Sequence, residues 1–218
     1  TTHLHTASAH TGVALIHVAE ESGNNAIMVL PGANAEYDLH RWSEGQAGVS
    51  RSRILLLQCE IPLETTIAAA RHARASGVMC ILDPAPATAL PDELFEFIDI
   101  LTPNESELAE LTGTGGAKSL SDEQVREAVE LLGAKLRGAL VAKLGGRGCI
   151  VRVDGAVTHI PAVPVPVVDT VGAGDVFNAA LAVALLEGSS LFDGCVFAGH
   201  AAAISVTRKG AQASFPGR

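Results

Sequence analysis

Three runs in the middle of the chain, Ile54 to Gln58, Val78 to Leu82 and Ile98 to Leu101, are dominated by aliphatic residues at successive positions. A strand with one wet face alternates apolar and polar side chains. A strand apolar at neighbouring positions is covered on both faces. Leu63 to Ser76 carries helical spacing between the first two runs, so the pattern predicts a parallel sheet with helices on both sides. A further helix starts at Ser121, which with Gln124 forms a capping box. Val125, Ala128, Val129, Leu132 and Leu136 follow at helical spacing, and the helix is expected to end near Gly138. Leu140 to Leu144 and Cys149 to Val153 read as strands around the Gly145–Gly148 turn, with another at Val157 to Ile160. Two helices close the chain, Gly174 to Leu186 and Phe192 to Val206, both apolar almost all round and therefore expected to be buried. Before the sheet, Gly12 to Val18 and Ala26 to Leu30 form a hairpin pattern joined by the polar turn Glu20 to Asn24.

At 218 residues the chain is long enough for one α/β domain with a substantial core, so residues 1–218 are read as a single unit. The net charge of −9 and the 4% aromatic content exclude a basic or aromatic nucleic-acid surface. Cys59, Cys80, Cys149 and Cys195 are too widely spaced for a metal knuckle and read as buried thiols in a reducing, cytoplasmic setting. No apolar run reaches the length of a membrane span. Pro161 to Pro166 reads as an extended connection rather than an interdomain linker.

That connection leads into Asp169-Thr170-Val171-Gly172-Ala173-Gly174-Asp175, a glycine turn that opens an apolar helix. The first N–H groups of a helix lack intrahelical partners, and with the positive end of the dipole they favour an anion such as phosphate. Gly172 and Gly174 let a ligand approach the backbone closely. Asp175 in the first turn is placed to take a proton from a hydroxyl as phosphoryl transfer begins. The plainer reading is a helix N-terminus capped by Asp beside two loop glycines.

DTVGAGDVFNAAL resembles the C-terminal signature of the ribokinase-like (PfkB) carbohydrate kinases. Asp83-Pro84-Ala85-Pro86-Ala87, Thr102-Pro103-Asn104-Glu105-Ser106-Glu107, Leu144-Gly145-Gly146-Arg147-Gly148 and Val206-Thr207-Arg208-Lys209-Gly210-Ala211-Gln212 agree with it. The resemblance runs from about Thr11 to the C-terminus. It implies a three-layer α/β/α fold with a mostly parallel central sheet and a small N-terminal hairpin, residues 1–34 lying near the sugar and 35–218 forming the nucleotide-binding core. It further implies ATP-dependent phosphorylation of a primary sugar hydroxyl, D-ribose first among the sugars, with fructose, a nucleoside or a keto-deoxy sugar acid as alternatives. Asp175 is then the base, and the amides of Gly172, Ala173 and Gly174 hold the transferring group. Asp169 helps bind K⁺ with Val171, Ser205, Arg208, Gly210 and Ser214, while Glu107 acts on Mg²⁺ through water. The residue-level alternative for Asp169 is a loop carboxylate bonded to neighbouring amides.

Asn104 and Glu107 form a reciprocal helix cap by spacing alone, and the resemblance places the same helix start at the nucleotide phosphates. Both roles are compatible. Lys143 to Gly148 leaves a strand and turns sharply; it lacks P-loop spacing, which excludes a Walker-type site, and by itself it is no more than a hairpin turn. The resemblance makes Lys143, Leu144, Gly145, Gly146, Arg147 and Gly148 the border of the ATP site, with Lys143 or Arg147 meeting phosphate unless simply solvated. The resemblance makes Glu60 a sugar-contacting carboxylate, and by its surroundings alone it is an exposed residue before Pro62. The resemblance implies an adenine-contacting Asn or His at the position of Gly199; this chain has glycine there, with a histidine next to it, His200. The Asn-x-Asp pair and Gly-Gly-Lys-Gly-x-Asn loop that grip the sugar in such kinases do not occur in the 218 residues. The expectation is therefore an N-terminally incomplete chain with an uncovered sheet edge, and a homodimer when complete. A nucleotide-binding fragment without catalysis is the reading from another class.

Overall fold

The computed structural model describes residues 6–18, 25–114 and 119–217. Two antiparallel strands, β1 (Val13–Val18) and β2 (Asn25–Leu30), form the hairpin, in register from Val13 opposite Leu30 to Val18 opposite Asn25. The expected turn at Glu20 to Asn24 lies outside the described residues. A short 3₁₀ turn, Gly32–Glu36, and helix α1 (Leu39–Ser50) lead into the main sheet.

That sheet runs β3 (Ile54–Leu57), β4 (Met79–Leu82), β5 (Ile100–Leu101), β6 (Ala139–Lys143), β7 (Cys149–Val153) and β8 (Ala156–Ile160), with spatial order equal to sequence order. β3 to β6 are parallel; β7 and β8 return antiparallel. Crossovers are supplied by α2 (Leu63–Ala75), α3 (Asp92–Phe95), α4 (Glu105–Thr112) and α5 (Asp122–Gly133), and the chain closes with α6 (Ala173–Leu186) and α7 (Leu191–Ser205). This is the expected mostly parallel α/β/α architecture.

Strand periodicity divides the core between the two faces. Leu82, Leu101 and Leu140 lie side by side in the sheet and pack with α2, α4 and α5, in one cluster that also holds Trp42 of α1. Their neighbours Ile81, Ile100 and Ala139 point the other way and pack under α6 and α7, against Phe177, Leu181, Cys195 and Ala198. Double coverage is why these strands are apolar at successive positions.

Several expected boundaries move. Gln58 and Leu144 fall just outside their strands, and α5 ends at Gly133 rather than near Gly138. Beyond that point the chain turns to bring Gly138 against Asp99, where an added Cβ would lie 2.0 Å from the Asp99 carbonyl oxygen. The closing helices are only half buried: Val183 and Leu186 on α6 and Phe192, Phe197 and Ile204 on α7 are exposed. Each has the sheet or its partner helix on one side and solvent on the other. Cys80, Cys149 and Cys195 are buried free thiols as expected, with Cys59 partly buried. No helix among the described residues is long and apolar enough to cross a membrane.

Candidate active site

Parallel strands deliver their carboxyl ends to one edge of the sheet, the edge where open α/β sheets hold ligands. Asp83 follows β4, Asn104 follows β5, Lys143 ends β6, and the glycine loop before α6 comes to the same place. The close approach of Asn104 to Lys143 is a backbone matter. The two residues form a parallel bridge, and the Lys143 N–H donates to the Pro103 carbonyl at 2.8 Å.

Gly172 caps α6 with φ of 79°, a left-handed conformation that strains any residue with a Cβ, and an added Cβ would also meet the Phe215 ring at 3.1 Å. The Ala173 N–H, one of the three expected anion donors, instead donates to the Thr170 carbonyl at 3.2 Å and closes the turn. The N–H groups of Gly172, Gly174 and Asp175 have no protein partner among the described residues, so these are the amides open to an anion. The Asp175 side chain stands exposed beside them. Crowding by the surrounding protein and then the charge of Asp83 raise its pKa, while Lys143 opposes the shift. A base with a raised pKa takes a hydroxyl proton more readily than an ordinary carboxylate.

Asn104 and Glu107 form the complete capping box at the start of α4. The Asn104 side-chain oxygen accepts from the Glu107 N–H at 2.9 Å, and Glu107 accepts from the Asn104 N–H at 2.7 Å and from its amide Nδ2 at 2.6 Å. Glu107 is only 6% exposed. Burial, and then the neighbouring Asp83 carboxylate, push its pKa up to about 7 against the Asn104 hydrogen bond and the Lys143 charge. Cap and polar edge coincide, so the two readings of this motif are one arrangement.

Asp83, though inside one of the family-like stretches, carries no assigned role in the sequence. Its Oδ2 accepts from Lys143 Nζ at 2.5 Å and from Asn178 Nδ2 at 2.6 Å, and the three residues are nearly enclosed. The contacts span 60 and 95 positions of sequence, which hides the cluster from any local reading. The DPAPA stretch supplied the one local clue.

Arg147 is committed elsewhere, pairing with Glu105 and with Asp122, each at 2.8 Å, and so it ties the turn to α4 and α5 rather than facing the amides of α6. Gly148 has φ of 88°, and its hydrogen sits against the Ile160 carbonyl. Gly145 and Gly146 are open to solvent. Gly199 faces open space on α7, and the adjacent His200 bonds the Val196 carbonyl at 2.8 Å. Glu60 is exposed in the bend after β3.

Asp169 accepts from the Val171 N–H at 3.0 Å and the Gly210 N–H at 2.8 Å, and these bonds hold its pKa low. It thereby joins the glycine loop to the Ser205–Ser214 segment. The Ser205 and Ser214 hydroxyls donate to the Ala202 and Ala211 carbonyls at 2.8 and 2.7 Å, so their oxygens keep acceptor capacity. Among the described residues no three His, Cys, Asp or Glu side chains converge on a metal position. Beside the Asp169 carboxylate the local donors are carbonyl and hydroxyl oxygens, a set suited to hard ions.

The profile of the pfkB family carbohydrate kinases matches residues 1–218. The chain is 40% identical to the ribokinase of Haemophilus influenzae over 220 residues, which is 100% of this chain and 70% of that protein. It is 34% identical to the Schizosaccharomyces pombe ribokinase, covering 94% of this chain and 65% of that one. Among solved structures, a ribokinase from Thermotoga maritima aligns with TM-score 0.82 at 42% identity, over 96% of this chain and 68% of the other. The Arabidopsis thaliana ribokinase complexed with ribose and ATP aligns with TM-score 0.83 at 35% identity, over 96% and 67%.

Proposed function

The chain belongs to the pfkB family of carbohydrate kinases, and from that membership we propose that the protein it represents transfers the terminal phosphoryl group of ATP to the primary hydroxyl of D-ribose. The observation that carries this reading is the convergence at one sheet edge of three unpartnered amides, the exposed Asp175 carboxylate and the Asn104–Glu107 helix start. The Arabidopsis relative, solved with ribose and ATP, supports the choice of substrates.

In this reading Asp175 takes the proton of the 5-hydroxyl as its oxygen attacks the terminal phosphorus. The bond from that phosphorus to the bridging oxygen breaks, and ADP leaves. The amides of Gly172 and Gly174 hold negative charge on the transferring group, while Ala173 keeps the turn closed. Asn104 and residues 143–148 border the nucleotide, with Gly199 beside the adenine and Glu60 reaching the sugar. Mg²⁺ fits the acidic edge formed by Asp83 and Glu107, where Glu107 would hold it through water and the ion would neutralise phosphate charge. K⁺ fits the Asp169 region. There Val171, Ser205, Arg208 and Gly210 offer carbonyls, Ser214 a hydroxyl, and the bound ion would fix the loop behind the amides. A homodimer follows the family expectation.

One assay of ribose 5-phosphate formation tests the chemistry and the cation together. Asp175→Asn is expected to lower turnover by at least about 10² while leaving nucleotide affinity within a few-fold, because an amide keeps the shape but accepts no proton. Turnover should rise when K⁺ replaces Na⁺ at fixed ionic strength, and Asp169→Ala should erase the difference. Near-normal turnover of Asp175→Asn removes the base; an identical response to the two salts removes the cation site.

A further inference from the structure

Two of the four free thiols touch each other. Cys149 opens β7, opposite Lys143 of β6 and Ile160 of β8, and Cys195 lies on the face of α7 that packs on the sheet. Both belong to the core layer between the sheet and the closing helices, with Cys149 3% and Cys195 0% exposed. There the Cys195 S–H donates to the Cys149 sulfur. That bond holds the Cys149 pKa below the ordinary thiol value against the effect of burial, and it raises the pKa of Cys195.

Cys59 and Cys80 have carboxylates as neighbours instead. At Cys59 burial and then the charges of Asp83 and Glu107, and at Cys80 burial and then the charge of Asp99, push the thiol up to about 12. The thiolate is the reactive form of cysteine, so these two are held inert. A small apolar residue explains why a cysteine is buried. It does not explain a donor thiol set against an acceptor thiol, which is the arrangement from which a disulfide closes. Solvent is one helix away. The outer face of α7 carries the exposed Phe192, Phe197 and Ile204, so a small oxidant gains access when that helix loosens.

We propose that Cys149 and Cys195 form an oxidation site for hydroperoxides, closed by a disulfide that pins α7 to β7. The Cys149 thiolate attacks one peroxide oxygen and the O–O bond breaks. An alcohol or water leaves, and Cys149 becomes a sulfenic acid. The Cys195 sulfur then attacks the Cys149 sulfur, the S–O bond breaks, and the leaving hydroxide takes the Cys195 proton as water. Two thiols are oxidised by two electrons and one hydroperoxide is reduced. Gly194 beside Cys195 packs closely on α6, where an added Cβ would meet Leu181 Cδ1 at 3.1 Å, so a clamp on α7 also restrains α6. In a reducing compartment the link is transient and is reopened by thiols of the surroundings.

The test treats the purified, reduced chain with tert-butyl hydroperoxide below its thermal midpoint, then unfolds it and alkylates the remaining thiols. Cys149 and Cys195 should lose alkylation in step while Cys80 keeps it. Non-reducing peptide mapping should give a peptide pair joined through these two residues, and dithiothreitol should restore both thiols. The oxidised chain should melt several degrees higher, because the link closes a long loop of the unfolded chain. In Cys195→Ala the reaction should stop at a Cys149 sulfenic acid that dimedone traps; the map of the parent chain decides even where this variant does not fold. Both thiols remaining free until the chain unfolds would overturn the proposal, as would loss of one without the other or a link to Cys59 or Cys80. A joined pair with no gain in midpoint would overturn the clamp, because the native fold would then be strained by the link.

Discussion

Glu107 uses one carboxylate as a helix cap and as part of an acidic edge, and the second use has a cost that pH exposes. With its pKa at about 7 rather than the ordinary 4.5, the folded protein keeps a proton that the unfolded chain has released. Between those values the native state binds more protons, so stability must fall as pH rises through the interval. Asp169 and Asp38, whose hydrogen bonds lower their pKa values, act in the opposite sense but at lower pH. We expect the thermal midpoint of the ligand-free protein to decline from about pH 5 to about pH 7.5, and Glu107→Gln to flatten that decline. Equal slopes in the two proteins would show that the carboxyl is ionised throughout. The sequence made the Asn104–Glu107 pair legible because both partners lie within one helical turn. It made Gly172, Gly174 and Asp175 legible for the same reason. Asp83, Lys143 and Asn178 meet only after three elements have docked, and no spacing rule reaches across such distances.

At the scale of elements, the turn between β6 and β7 separates what a glycine does from where it sits. Gly145, Gly146 and Gly148 look alike in sequence. Gly146 has ordinary φ and open space, Gly145 has φ of 56° with open space, and Gly148 has φ of 88° with the Ile160 carbonyl 2.0 Å from an added Cβ. Alanine substitutions should therefore rank. Gly146→Ala should be close to neutral, Gly145→Ala should cost about 1 kcal/mol from backbone strain alone, and Gly148→Ala should cost several times more because β8 must shift. Chemical denaturation of the three variants checks the order, and a Gly148→Ala no worse than Gly145→Ala would mean that the strand edge yields freely. Legibility varies among elements for equally physical reasons. α5 was readable from its capping box and periodic Val125, Ala128, Val129 and Leu132, all of which are buried. α1 was not, since only Trp42 and Gly45 of its twelve residues are buried and no apolar stripe marks it. β5 is only two residues long; just before it the Asp99 backbone still bonds the Cys80 carbonyl and the Ala139 N–H, while its side chain accepts from the Cys80 N–H at 2.8 Å, where a backbone carbonyl would serve in a regular strand.

For the molecule as a whole, the surface carries more apolar area than the burial pattern in the sequence implied. Phe197, His200 and Ile204 share one face of α7, and all three are exposed. Val183 and Leu186 are exposed on α6, and Leu56 is exposed on β3, which pairs only with β4 among the described residues. Val13, Leu15, Met28, Val29 and Leu30 are exposed on the hairpin. Apolar patches and a one-sided strand favour association, whereas the net charge of −9 opposes it through self-repulsion. Salt screens the repulsion and leaves the apolar attraction intact, so it decides between the two. The purified 218-residue chain should self-associate with concentration in sedimentation experiments, and more strongly as salt is added. Phe197→Glu, which puts a charge on the α7 face, should weaken the association, and Leu56→Lys should do so if the β3 edge takes part. A chain that stays monomeric in high salt at the limit of its solubility would show that these surfaces are too small or too dispersed to drive contact. Association unchanged by both substitutions would move the contact to the hairpin, where Leu15→Lys and Met28→Lys provide the corresponding check.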